Sequence, residues 1–466
     1  MALALRVTKK VYLFILIVFV SLFLVSCNKD NNNISNTPPD EAKQIEIVYD
    51  ILKEQYYSSL NLDISQITSL EELLNYTDIY TKIYKTGSTN IEKNESYIGL
   101  GITVIEHADG LFVSDVNDEI DIYKQLFVGD VIIKINNNTL KNLIFEDKTK
   151  ALQKELNETI TFTIMRLNKK INVEVKVVEV PFKSISYANY NDIGYIKINR
   201  FGTTTYNHFN NSLNQLESEN IKGLIIDVRD NGGGYLTAVS NILKLFVSGS
   251  EPMFYLYEPK ANEYNPIFPN EQTIEKPYPI TVLVNQNSAS VSEVLAGVMQ
   301  KYGYNVIGEK TFGKDLYQTS KNLPSPFKNN EAISITSGYW LLEKNKSVKG
   351  GIYPDVFIYD SGIRSLIYPV LNKEYQLNEA SPYIGVYQYI LSLLIEGDYI
   401  PDYLNEDFSN MLKEYQSSIN IEKTGILDEQ TQKQLIITYR ELKKDKNYDE
   451  LLNKAITHME IKINGN

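Results

Sequence analysis

The sequence predicts an α/β core, a mixed sheet with flanking helices, joined to a β-rich domain and framed by a helical N-terminal segment and a small helical C-terminal module. Three observations carry this. From Asn189 to about Asp360, apolar strand-like runs alternate with amphipathic helical ones, as an α/β layer requires. From about residue 96 to 180, short alternating runs separated by turn residues describe strands. Outside both regions, apolar residues recur at three-to-four spacing, the helical period.

In chain order, Arg6, Lys9 and Lys10 precede an apolar run, Val11 to Val25, that ends Leu24-Val25-Ser26-Cys27. A basic start, a short apolar stretch and small residues make a secretion signal; about 15 apolar residues are few for a spanning helix, which needs ~20. Leu-Val-Ser-Cys resembles a bacterial lipobox. That resemblance implies a lipoprotein signal peptide (residues 1–27), a lipidated Cys27 and a folded part held at the extracytoplasmic face of the membrane. An uncleaved signal anchor would leave it on the same side. Residues 28–40 (NKDNNNISNTPPD) are polar and rich in Asn and Pro, a tether.

The folded part opens with a helical region, 41–95, where Ile45, Val48, Tyr49, Ile51 and Leu52 follow the helical period. Strands begin at Tyr97: Ile98-Gly99-Leu100-Gly101-Ile102-Thr103-Val104, Leu111 to Val113, Val131 to Ile135, Thr159 to Leu167 and Ile171 to Val180, with a helix predicted over Lys148 to Leu156. In the core (181–365), strands are predicted at Ile221 to Val228 and Ile280 to Val284, and helices at Tyr235 to Val247 and Ser290 to Tyr302. Helical spacing returns over 383–436 (Val386, Tyr389, Ile390, Leu393, Leu394), followed by a tail, 437–466.

Composition narrows the function. Apolar residues at 43% and charged residues at 22% describe a globular chain, and 466 residues suggest about three domains. A net charge of −12 opposes a nucleic-acid partner, whose phosphates demand a basic surface. Three separated histidines (His107, His208, His458) and a single cysteine leave little for a His triad or a zinc site, so no metal and no cofactor is expected.

Three segments carry the chemistry. Gly223-Leu-Ile-Ile-Asp-Val-Arg-Asp-Asn-Gly-Gly-Gly234 is a strand ending in a glycine turn that can aim N–H donors at an oxyanion. It lacks a P-loop lysine. In Val284-Asn-Gln-Asn-Ser288-Ala-Ser290-Val-Ser292-Glu293, a serine stands before a helix, where caps are common. In Gly308-Glu-Lys-Thr-Phe-Gly313-Lys314-Asp-Leu-Tyr-Gln318, a lysine could act as general base if burial lowered its pKa. It would then deprotonate a serine without any histidine.

Together these segments resemble the carboxyl-terminal processing peptidases, or tail-specific proteases. Asp78-Ile-Tyr-Thr81 and Gly350-Gly-Ile-Tyr-Pro-Asp355 extend the resemblance to nearly everything after the tether. It implies Ser290 as nucleophile, Lys314 as base and Gln318 as the residue orienting it, with an oxyanion hole from the amides of Val291 and of Gly233 or Gly234. Departures are a Ser290–Lys314 stretch one residue short, expected to be absorbed near Tyr304, Gly232 in place of proline, and Asp315 in place of a second glycine. Residues 96–180 resemble a PDZ domain. In such domains a loop like Gly99-Leu100-Gly101-Ile102 holds a peptide C-terminal carboxylate through backbone N–H groups, and the peptide adds as a strand. Thr424-Gly-Ile-Leu-Asp-Glu-Gln-Thr431 resembles the last turn of a peptidoglycan-binding module.

The resemblances imply a membrane-anchored serine endopeptidase, with protein or peptide C-termini, the membrane and peptidoglycan as partners and homodimerisation left open. The rival is a catalytically inactive PDZ/peptidoglycan-binding lipoprotein scaffold. An esterase is a further rival, disfavoured by a module that reads peptide ends.

Overall fold

The computed structural model describes residues 41–465, apart from 86–95, 118–119, 153, 168, 182, 329–330, 368 and 372. Cys27 and the tether lie outside the described residues.

The N-terminal segment holds helices α1 (Glu41–Gln55) and α2 (Leu70–Leu74) and a strand, β1 (Lys82–Lys85). Next come β2 (Ser96–Gly99), β3 (Ile102–His107), β4 (Gly110–Val116), β5 (Val131–Ile135), β6 (Asn138–Thr139), α3 (Phe145–Lys150), β7 (Thr159–Arg166), β8 (Lys169–Lys176) and β9 (Val178–Pro181). The α/β region has β10 (Ile185–Tyr190), β11 (Ile193–Ile198), α4 (Thr205–Ser218), β12 (Gly223–Asp227), α5 (Leu236–Leu243), β13 (Phe254–Glu258), β14 (Glu263–Ile267), β15 (Ile280–Val284), α6 (Val291–Lys301), β16 (Asn305–Gly308), β17 (Leu316–Asn322), β18 (Glu331–Glu343), β19 (Lys346–Ser347) and β20 (Val356–Phe357). Helices α7 (Pro382–Ser392), α8 (Glu406–Ser418), α9 (Glu429–Lys444) and α10 (Glu450–Asn464) complete the chain.

These elements form two compact units. One comprises Tyr97–Pro181 and Asp360–Lys454, and the other residues 41–96, 182–359 and 455–466. In the second unit a six-stranded sheet runs β10-β11-β12-β15-β16-β20, antiparallel at β10–β11 and parallel elsewhere, so it is mixed as expected. All residues of β12 and β15 are buried, the mark of parallel strands covered on both faces. A further sheet, not foreseen in the sequence, is built on the long strand β18, which pairs with β1, β13, β17 and β19. The β1 pairing (Lys82↔Ser334 to Lys85↔Glu331) corrects the reading of 41–95 as wholly helical. Ile45, Val48, Leu52 and Leu73 pack there with Ile333 and Ile335.

In the other unit the strands order as β3-β4-β5-β7-β8, with β3 at the edge. The helix expected over Lys148 to Leu156 lies earlier, at α3, and the run read as Ile171 to Val180 divides into β8 and β9. Phe127, in the turn before β5, belongs to the core of the C-terminal helices, with Tyr387, Phe408 and Leu435. The stretch read as a tail holds the end of α9 and all of α10, on which Leu451, Leu452, Ala455, Ile456 and Met459 are buried at helical spacing. The Thr424–Thr431 motif works as an internal knot. Thr424 Oγ1 donates to Asp428 Oδ2 (2.9 Å), Asp428 Oδ1 caps α9 by accepting from Thr431 N (2.7 Å), and buried Gln416 Nε2 donates to both threonine hydroxyls.

Candidate active site

Three neighbouring parallel strands deliver the three sequence segments to one place. In register, Asp227 of β12 faces Leu283 of β15, and Val284 faces Gly308 of β16. The segments therefore leave the sheet from adjacent carboxyl ends, where open α/β sheets place their sites.

The glycine turn is held from beneath. Asp227 and Arg229, both essentially unexposed, form a two-point ion pair (Nη2 to Oδ2 2.7 Å, Nε to Oδ1 3.0 Å), and Tyr195 Oη donates to Asp227 Oδ2. Buried Asn231 ties the turn to the serine loop. Its side chain accepts from Gly233 N (2.8 Å) and donates to Ile198 O, and its carbonyl accepts from Ala289 N and Ser292 Oγ. A Cβ on Gly233 would lie 3.0 Å from Ser290 Cβ and 3.1 Å from Val291 N, so only glycine brings this turn so close.

The three serines have different tasks. Ser288 Oγ donates to Val228 O (2.8 Å), and Ser292 Oγ is engaged by Asn231. Ser290, at the N-terminus of α6, stands in a capping box with Glu293, its amide donating to Glu293 Oε2 (2.8 Å). Its backbone sits at φ 56°, ψ −116°, a conformation that costs a non-glycine residue and clusters at functional sites.

Glu293, one turn into α6 and fully buried, fastens the serine loop to the lysine loop. Its Oε2 accepts from both Ser290 N and Lys314 N at 2.8 Å, and its Oε1 from Thr311 Oγ1 (2.7 Å) and Gly313 N (2.6 Å). Burial pushes this carboxyl up, and the four donors oppose that shift. Nucleophile and base thus share one carboxylate oxygen through their amides.

Lys314 Nζ donates to Gln318 Oε1 (3.0 Å) and lies 4.0 Å from the centre of the Tyr80 ring. Burial brings its pKa down from 10.5 to about 8. Nearby Lys82 also lowers it, while Asp78 and Glu293 raise it. Its carbonyl accepts from the indole of Trp340 (2.8 Å). Asp315 does not approach the amine: its carboxylate accepts from Ser347 Oγ at 2.5 Å. Between Ser290 and Lys314 the chain turns at Tyr302–Tyr304, where Gly303 N bonds Gln300 O and Tyr304 N bonds Met299 O. This Schellman turn has Gly303 at φ 87°. No hydrogen bond joins Ser290 Oγ to Lys314 among the described residues. None of the histidines enters the site; His208 meets Ser184 and His458 meets Asn305.

Sequence reading assigned no role to Glu293, Tyr80, Asp78, Thr336 or Trp340. A lone acid in the first turn of an otherwise apolar helix was the available signal for Glu293. In the other unit, Gly99 ends β2, Gly101 has φ 64°, and Ile102 opens edge strand β3. Leu100 and Ile102 belong to that domain's core.

Residues 192–358 match the model of Peptidase family S41, and residues 88–165 that of the PDZ domain. The chain therefore carries an S41 peptidase domain and a PDZ domain. It is similar to a probable CtpA-like serine protease of Staphylococcus saprophyticus, with 26% identity over 436 residues, 91% of this chain and 87% of that protein. A protein of the same description from Staphylococcus aureus is 25% identical, over 92% of this chain and 87% of its own length. Among solved structures, the photosystem II D1 C-terminal processing protease shares the fold with TM-score 0.50 at 18% identity, over 69% of this chain and 93% of that one.

Proposed function

We propose that this chain is a serine endopeptidase that takes protein C-termini on its PDZ domain and cleaves with Ser290 as nucleophile and Lys314 as base. The observation that carries this is the pairing of a conformationally strained serine with a half-buried lysine amine of lowered pKa, their two amides held on one oxygen of Glu293. Ser290 Oγ attacks the scissile carbonyl as its proton passes to neutral Lys314 Nζ. The resulting ammonium then protonates the leaving amine. Water, deprotonated by the same lysine, cleaves the acyl-enzyme and restores Ser290. The Ser290–Lys314 hydrogen bond forms as substrate enters, as catalytic contacts often tighten only in the complex.

For the oxyanion, Val291 N–H supports one contact. Of the two glycine amides, that of Gly233 already donates to Asn231 Oδ1, so we assign the second contact to Gly234. The PDZ loop Gly99–Ile102 and the free edge of β3 would receive a substrate C-terminus as an added strand. In this reading Cys27 carries the lipid that holds the enzyme outside the membrane. The C-terminal module remains a candidate for peptidoglycan, tested by co-sedimentation with purified cell wall.

Cleavage of an unfolded, tail-exposed protein tests the reading. Ser290→Ala and Lys314→Ala should each abolish it while leaving thermal unfolding unchanged, because residues acting as one unit are lost together. Amidating the substrate's C-terminus should weaken capture at limiting substrate. Persistent cleavage by either variant would refute the pair, and equal activity of the variants and wild type would favour the scaffold.

A further inference from the structure

The N-terminal segment reaches the base through a continuous line of hydrogen bonds. Lys314 Nζ donates to Gln318 Oε1 (3.0 Å), Gln318 Nε2 donates to Thr336 Oγ1 (3.2 Å), and Thr336 Oγ1 donates to Asp78 Oδ1 (3.0 Å). Asp78 is itself pinned. Its Oδ1 also accepts from Tyr80 N and Thr81 N at 3.0 Å, and its own N–H donates to Tyr56 Oη (2.9 Å). Thr336 is fully buried and its amide donates to Thr81 Oγ1 (3.1 Å). Strand β1 brings this turn to β18, which carries Thr336, and β17, which pairs with β18, carries Gln318.

The direction of this line follows from elementary donor and acceptor chemistry. Asp78 Oδ1 already accepts from two backbone N–H groups, so it accepts here too and the single hydroxyl proton of Thr336 goes to Asp78. The hydroxyl must then accept from Gln318, which turns the NH₂ of Gln318 away from the lysine and its carbonyl toward it. A neutral lysine amine that gives an N–H to this carbonyl keeps its lone pair free for a serine proton. A reversed Gln318 would instead donate to that lone pair and consume the base.

We propose that Thr336 and Asp78 are positioning residues for Lys314, acting by fixing the orientation of the Gln318 amide. The N-terminal segment is thereby part of the catalytic apparatus and more than a support. This rests on the Ser290–Lys314 reading above. Charged groups facing the amine are Asp78 and Lys82 from this segment and Glu293 from α6, with the Tyr80 ring over it.

The test is a kcat and kcat/KM profile against pH, on a fluorogenic peptide, for the full chain and four variants, Lys314→Ala among them. Thr336→Val keeps the shape and removes the hydroxyl. Its plateau kcat should fall by roughly 10- to 100-fold, the order that a misplaced group costs, with KM little changed. Thr336→Ser should restore most of the loss. Asp78→Asn keeps an oxygen for Tyr80 N, Thr81 N and the Thr336 hydroxyl but removes the charge, so its activity limb should move to lower pH with a smaller loss of plateau. A Thr336→Val plateau within twofold of wild type would overturn the proposal, as would Thr336→Ser failing to recover. Those results leave the Ser–Lys pair standing where Lys314→Ala is inactive in the same assay. Cleavage by Lys314→Ala would overturn the pair and the proposal with it.

Discussion

A lysine acts as a base near neutral pH only where water has been removed from its amine, since desolvation penalises the ammonium. Lys314 meets this condition beneath Tyr80, and its only hydrogen-bond partner at Nζ among the described residues is the neutral Gln318. With a pKa of about 8, the amine is mostly protonated at pH 6 and mostly neutral at pH 9. In the proposed mechanism the catalytic form is the neutral one. Log kcat/KM should therefore rise with unit slope below about pH 8 and level off above it. A limb near 10, or a flat profile from pH 6 to 9, would contradict this assignment. Glu293 supplies the complementary case of a buried carboxyl engaged by four donors and forming no ion pair among the described residues.

The loops after β12, β15 and β16 converge because their strands are parallel neighbours, and glycines let the loops close. Gly313 has φ 98°, and a Cβ there would meet Gly350 N at 2.7 Å and Gly351 N at 2.8 Å, both immovable backbone. Gly313→Ala should destabilise the protein by ~1–3 kcal/mol and cut kcat, because Lys314 is the next residue. Thermal unfolding and steady-state rates check both, and an unchanged melting temperature would contradict the packing argument. The same elements show what sequence can convey. Ser290, Lys314 and Gln318 could be singled out as candidates because they lie in short glycine-punctuated segments that carry the family resemblance. Thr336 and Asp78 were not, since they are 258 residues apart and meet only through the β1–β18 pairing. Strand β1 was hidden because four residues, Lys82 to Lys85, give too short an alternation to interrupt a helical reading. The final helix was missed for a different reason: its buried stripe was present in the sequence, but the stretch was read as a tail.

At the scale of the whole molecule, the proposed function divides recognition and chemistry between the two units. The PDZ domain and the C-terminal helices form one, sharing Phe127 and the contact of Val128 O with Leu371 N, while the site lies wholly within the other. Residues 41–96 belong with the protease sheets, so truncation before β1 should remove activity along with stability. The central claim is that a peptide is transferred to Ser290 by a lysine base. Its most direct measurement is mass-spectrometric mapping of an acyl-enzyme, trapped by acid quench during turnover of an activated peptide ester. A peptidyl adduct on Ser290 is expected in the wild type, and no adduct there in Ser290→Ala or Lys314→Ala. An adduct on another residue, or one that forms on Ser290 at the wild-type rate without Lys314, would contradict it.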